Sequence, residues 1–184
     1  VVFMTGDLFD GRINLNESNL QPLKDLKVPL FFVEGNHDIY TGAKVIKTLL
    51  RKIGSIVLEN DIVLWNGIQI VGLNHMRADD VSMNIHASMN APTIKNILRK
   101  LPIQKDKPSI LLHHSPDGIE YASEQGIDLY LSGHTHAGQL FPINYLAEWL
   151  FTYNKGMHNF NGTTLYVSEG AGTFGPPMRI ATKS

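Results

Sequence analysis

The sequence predicts an α/β domain built on mixed sheets. Short apolar runs at Val1 to Thr5, Leu30 to Val33, Ile110 to Leu112 and Leu129 to Leu131 read as buried strands. Stretches with helical spacing fall between them, which is the pattern of layered α/β folds. Two Asn-Gly steps, Asn66-Gly67 and Asn161-Gly162, mark hairpins within that plan.

In order along the chain, Leu20, Leu23 and Leu26 suggest a short helix before the Leu30 strand. Thr41 is placed to cap a helix with Val45, Ile46, Leu49 and Leu50 on one face, and Gly54 stands just past its end. Ile62 to Trp65 and Ile68 to Leu73 flank the first hairpin turn. Residues 74–90 are polar and Met-bearing without a clear period, and read as a long loop. Pro92 lies near the start of a helix using Ile94, Ile97, Leu98 and Leu101. The second hairpin leads into a strand at Leu165 to Val167. An aromatic-rich stretch (Phe141, Tyr145, Trp149, Leu150, Phe151 and Tyr153) reads first as a cover over the sheet, and second as an apolar wall or membrane-facing lip.

At 184 residues there is room for one domain, 1–184, with a sizeable core. The net charge of −1 disfavours nucleic acid as the main partner. With no cysteine, disulfides and thiolate metal sites are excluded, and no compartment is selected. No apolar run is long enough to span a bilayer. Val1 is not a natural start, so a targeting or anchoring segment is expected to be missing. Cytoplasmic, membrane-associated and cell-envelope locations all stay open.

Four short motifs carry the chemistry. They are Gly6-Asp7-Leu8-Phe9-Asp10, Gly35-Asn36-His37-Asp38, His113-His114-Ser115-Pro116 and Gly133-His134-Thr135-His136, each just after an apolar run. Strand ends bearing Asp, Asn and His bring oxygen and nitrogen ligands to one sheet edge, where open α/β sheets place their sites. The set resembles the calcineurin-like metallophosphoesterase superfamily, whose blocks run D-x-H, G-D-x-x-D, G-N-H-[DE], a lone His and G-H-x-H. The longer string His134-Thr135-His136-Ala137-Gly138-Gln139 is similar to a bacterial phosphodiesterase-type branch carrying G-H-T-H-x-G-Q. So is the tail from Tyr166 to Gly170 with Gly172, Gly175, Pro176, Pro177 and Arg179. The D-x-H block is absent, and is expected roughly 30–40 residues upstream, with a strand and crossover helix between.

The resemblance implies two packed mixed β-sheets flanked by helices, truncated at the N-terminus. It also implies hydrolysis of phosphate esters, phosphodiesters in particular, by a metal-bound hydroxide at a dinuclear site. Mixed nitrogen and oxygen ligands suit Mn, Fe or Zn better than Ca. By resemblance Asp7, Asn36, His114 and His134 hold one ion, and Asp7 and His136 contribute to the other. The family's lone His precedes any-residue-Pro, which selects His114 and leaves His113 to pack or bond nearby.

His37 follows a ligand directly and reads as a catalytic acid, with Asp38 to orient it. Asp10 reads either as fixing a ligand's orientation or as a local turn carboxylate. His75, His86 and His158 lie outside the motifs and read as ordinary surface or loop histidines. With the D-x-H ligands missing, this piece is expected to hold at most one tight ion and to be nearly inactive, with a sheet edge unpaired. A phosphate ester is the expected partner; a lipid-like substrate and peripheral membrane association stay open, as does oligomeric state. The alternative is a non-catalytic scaffold of the same family.

Overall fold

Two sheets form because two sets of apolar strands share one buried face. A computed structural model describes residues 1–10, 15–82, 84, 86–173, 175 and 177–180; Pro176 of the tail motif lies outside them. The first sheet is parallel, ordered β1 (Val2–Met4), β2 (Leu30–Phe32) and β3 (Ile56–Val57). The second comprises β4 (Asp61–Trp65), β5 (Ile68–Gly72), β6 (Ser109–Leu112), β7 (Leu129–Ser132), β8 (Gly156–Phe160) and β9 (Thr163–Val167). Its order is β4-β5-β6-β7-β9-β8, parallel in the middle with an antiparallel hairpin at each side. Both Asn-Gly turns hold positive φ at both residues, Asn66 49° and Gly67 83°, Asn161 46° and Gly162 93°, as tight two-residue hairpins require.

Phe31 and Val33 from the first sheet meet Ile70 and Leu112 from the second, with Trp65 edge-on to Phe31 at 6.0 Å. The approach is close: a Cβ on Gly72 would lie 2.1 Å from that of Leu58. Helices cover both outer faces. The α-helices are α1 (Gln21–Lys24), α2 (Asn36–Thr41), α3 (Ala43–Lys52), α4 (Ile94–Leu98), α5 (Ile119–Glu124) and α6 (Ile143–Leu150), the last lying off the sheets. Ile46, Leu49 and Leu50 of α3 pack on Phe32, while Ile94, Leu98 and Ala122 of α4 and α5 pack on Val71, Leu111 and Tyr130. The result is the α/β/β/α layering expected.

Several local expectations are corrected. Thr41 ends α2 rather than capping α3, because Gly42 (φ 124°) lets the chain turn between the two helices. Val45 consequently faces solvent. Pro92 does lie near the start of α4, directly before its cap Thr93, whose hydroxyl accepts from the Asn96 amide at 3.3 Å, but the helix ends at Leu98 and leaves Leu101 outside it. The aromatic stretch is for the most part no sheet cover: it contains α6, of which only Ala147 is buried, while Tyr153 does pack against the core of the larger sheet.

Candidate metal centre

Gly6 and Asp7 turn the chain sharply after β1, both at positive φ (95° and 56°). A side chain on Gly6 would strike the Gly35 nitrogen at 2.4 Å, and one on Gly35 would strike Asp7 Oδ1 at 2.1 Å. Two glycines therefore let the ends of β1 and β2 touch. Asp38 ties them together. Its carboxylate accepts from the amides of Gly35 (2.9 Å), Asp7 (2.7 Å) and Leu8 (3.0 Å). Hydrogen bonds to a charged acceptor contribute about 1.5–3 kcal/mol each. Burial still leaves the Asp38 pKa raised, with those amides opposing it. The His37 amide donates to Asp7 Oδ1 at 2.9 Å, which leaves Oδ2 aimed across the strand ends.

Four ligand atoms meet there. His114 Nε2 lies 3.1 Å from Asp7 Oδ2, 3.0 Å from Asn36 Oδ1 and 3.0 Å from His134 Nδ1. His114 Nδ1 is 2.8 Å from the Thr5 carbonyl, which can only accept, so the ring proton belongs on Nδ1. Nε2 then presents a lone pair to a carboxylate and an amide oxygen. Acceptors so crowded repel one another unless a cation lies among them. Burial first, and then the neighbouring His114, lower the His134 pKa to about 3, so its ring is neutral and able to ligate. Asp7, His114 and His134 can thus surround one ion, with Asn36 beside them. The sulfur-free donor set fits a divalent transition metal.

Residues 1–138 match the calcineurin-like phosphoesterase family. The chain belongs to that family. It is 39% identical to an uncharacterized metallophosphoesterase of Helicobacter pylori, over all of this chain and 49% of that protein. It is 33% identical to a transmembrane protein with metallophosphoesterase domain of Danio rerio, over all of this chain and 44% of that one. An uncharacterized metallophosphoesterase of Aquifex aeolicus is 34% identical over 98% of this chain and 68% of its own length. The chain thus spans about half the length of the first two relatives.

His136 lines the same cleft as Asp7, Asn36, His37 and His134, but lies outside the cluster of four atoms. Its loop is built from unusual backbone: His134, His136, Ala137 and Gln139 all have φ between 50° and 72°. Such residues cost on the order of 1 kcal/mol or more each, and must be held by their surroundings. Arg179 does much of that holding, donating to the carbonyls of His136 (3.2 Å), Glu169, Gly170 (3.3 Å) and Gly172 (3.0 Å). The tail residues of the motif are therefore a clamp on the Gly133-His134-Thr135-His136 loop. Burial, then the Arg179 charge, lower the His136 pKa.

The acid pair differs from expectation. The carboxylate beside His37 is Asp10, with Oδ1 at 3.0 Å from Nδ1, and not Asp38, whose oxygens serve the backbone amides. Asp10 thus holds His37 and no ligand of the cluster, and its Oδ2 accepts from the Gly175 amide at 2.9 Å.

His113 turns away from the cluster. Its Nδ1 donates to the Ser115 carbonyl at 2.9 Å and its Nε2 accepts from the Met76 amide at 3.4 Å. His75, read from sequence as an ordinary surface or loop histidine, is not so, whereas His86 is an exposed loop residue as expected. His75 is buried, stacked on His113 (6.0 Å) and edge-on to His114 (5.4 Å), and burial drives its pKa to about 2. His86 bonds the Tyr40 hydroxyl at 3.1 Å and lies 5.6 Å from the His134 ring, forming one rim of the cleft. Neither sits in a recognisable motif, so no sequence signal marked them.

Proposed function

We propose that the protein hydrolyses phosphate esters, phosphodiesters in preference, at a centre of two divalent ions. The observation that carries this reading is the meeting of Asp7 Oδ2, Asn36 Oδ1, His114 Nε2 and His134 Nδ1 at one point, with the Thr5 carbonyl on Nδ1 leaving His114 Nε2 as an acceptor. When bound, such ions lower the pKa of water and neutralise phosphoryl oxygens. Asp7, Asn36, His114 and His134 would hold the first. Asp7 and His136, which share the cleft, would serve the second.

His37 supplies the proton. As the water oxygen bonds to phosphorus and the ester P–O bond breaks, the leaving alkoxide takes a proton from the His37 imidazolium; the water's proton goes to solvent. Asp10 holds Nδ1 and fixes the ring, so Nε2 is the donating atom. The Asp38 carboxylate keeps the two strand ends in register and takes no part in proton transfer.

The Danio rerio relative is named a transmembrane protein with a metallophosphoesterase domain. Among the described residues no helix is long and apolar enough to cross a membrane. We infer peripheral association, with the exposed residues of α6 at the lipid surface; a full-length protein that stays in the supernatant with anionic liposomes removes that part. Hydrolysis itself is tested with the full-length protein, bis-p-nitrophenyl phosphate and Mn²⁺. Turnover should require the metal and be abolished by chelation. Absence of metal-dependent turnover across a panel of mono- and diesters sinks the reading.

A further inference from the structure

The cleft that contains Asp7, His37 and His134 continues along α6. Ile143, Leu146, Ala147, Leu150 and Phe151 form its far wall. Their spacing is i, i+3, i+4, i+7 and i+8, the apolar stripe that a surface helix normally turns toward a core. Here it turns toward the cleft. Ile143, Leu146 and Leu150 each keep half or more of their surface exposed (50%, 51% and 59%). The wall begins at the metal cluster itself, where the Phe151 ring stands edge-on to that of His134 with centroids 5.9 Å apart. No Lys or Arg occurs among the described lining residues, so nothing along α6 is charged to meet a second anionic group.

Resting on the phosphoesterase reading above, we propose that this stripe binds the hydrocarbon chain of a lipid-type phosphate ester whose phosphate is held at the metal cluster. The groove and the cluster are one continuous cavity of about 250 Å³. An occupant tethered to the phosphate can fill both parts at once, whereas a partner protein seated on α6 would close the cleft to any ester. The outer face of the same helix carries two exposed aromatics, Tyr145 and Trp149, the latter at 80%, beside Asn144 and a Glu148 paired with Lys155. Amphipathic aromatics of that kind settle at a lipid–water boundary, which puts the mouth of the groove where such an ester is found. From Ile143 to Phe151 the stripe runs about 12 Å, long enough to follow a chain of several methylenes. Apolar contact is non-directional, so the groove selects for chain length and not for a particular head group.

The test is a homologous series of alkyl p-nitrophenyl phosphates, butyl to octyl, kept below their micellar concentrations, with the full-length protein and Mn²⁺. Each methylene buried on the stripe should raise kcat/KM by about two- to fourfold. In Leu146→Gln and Leu150→Gln, both at exposed positions where folding is retained, the octyl-to-butyl ratio should fall at least tenfold toward one. A flat series in a protein that does hydrolyse bis-p-nitrophenyl phosphate overturns the chain site and leaves the hydrolytic reading standing. Should nothing be hydrolysed, calorimetric binding of butylphosphonate and octylphosphonate to the Mn²⁺-loaded protein still decides: tighter octyl binding, lost in Leu150→Gln, supports the site, and equal affinities overturn it. A dimer of the wild-type chain that dissociates on Leu146→Gln also overturns it, since a second copy would then occupy the stripe.

Discussion

Gly35→Ala isolates how the two strand ends set the metal cluster. Gly35 has φ −106°, a conformation open to alanine, so only the added methyl group matters. That Cβ would lie 2.1 Å from Asp7 Oδ1 and 2.7 Å from the Asp7 nitrogen, and real Cβ atoms keep at least 3.0 Å. The Asp7 oxygen must therefore retreat by about 0.9 Å. Either the carboxylate rotates away from the His37 amide, or the ends of β1 and β2 part and loosen the grip of Asp38. Overpacking of this kind costs about 1–3 kcal/mol, and a displacement near 1 Å at a reacting centre costs about 100-fold in rate. Urea unfolding, metal content by plasma mass spectrometry and kcat on bis-p-nitrophenyl phosphate read the three effects. A folded Gly35→Ala protein with wild-type metal content and kcat within about twofold of wild type would refute the claim that this contact sets the ligand geometry.

Three further perturbations separate neighbouring roles. His37→Ala should lower kcat by about 10²–10⁴-fold with metal content little changed, and Asp10→Asn should lower kcat less while shifting the pH profile; loss of metal in either would reassign the residue. Asp38→Asn turns an amide toward backbone donors and should cost about 1–3 kcal/mol of stability together with metal affinity, whereas a folded, fully stable Asp38→Asn protein with altered pH dependence would restore Asp38 to the acid pair.

The buried Lys47, 2.5 Å from Glu34 and 2.6 Å from Glu59, lies beneath the Gly35 turn; Lys47→Met should destabilise by about 3 kcal/mol, because Glu34 stays buried without its partner. Burial alone would lower the Lys47 pKa, yet the two carboxylates raise it, so this contribution is full below the unfolded value of 10.5 and fades as pH rises through the folded one. Glu59 is shifted down, chiefly by Lys47 and then Arg51, so its share is present above 4.5 and is lost as pH falls through its folded value. Chemical denaturation at alkaline pH should therefore show the wild type losing stability as Lys47 titrates and Lys47→Met lacking that loss; an equal alkaline loss in both would contradict the assignment.

Much of the fold and of the candidate ligand cluster was legible because it is written in local patterns. Strand ends at Asp7, Asn36, His114 and His134 follow short apolar runs, and Asn66-Gly67 and Asn161-Gly162 need positive φ wherever they occur. A strand end fixes where a residue sits: Asp7 and Asn36 follow parallel neighbours of one sheet, His114 and His134 follow parallel neighbours of the other, and the packing of the two sheets brings the pairs together. Which side chains face one another is a different matter. Asp38 is next to His37 in sequence, but on a helix's first turn its side chain leans back toward the N-terminal amides, and the carboxylate that reaches His37 comes from the β1 loop. Likewise Ile143 to Phe151 carries a period that says apolar face without saying toward what. Only the packing of α6 beside the metal cluster, instead of over the sheet, turns that face into a wall of the cleft. His75 carries no motif at all, since burial against His113 and His114 depends on contacts far apart in the chain. Sequence periodicity reports one element at a time, and the direction an element faces is decided by the surfaces that remain to be covered.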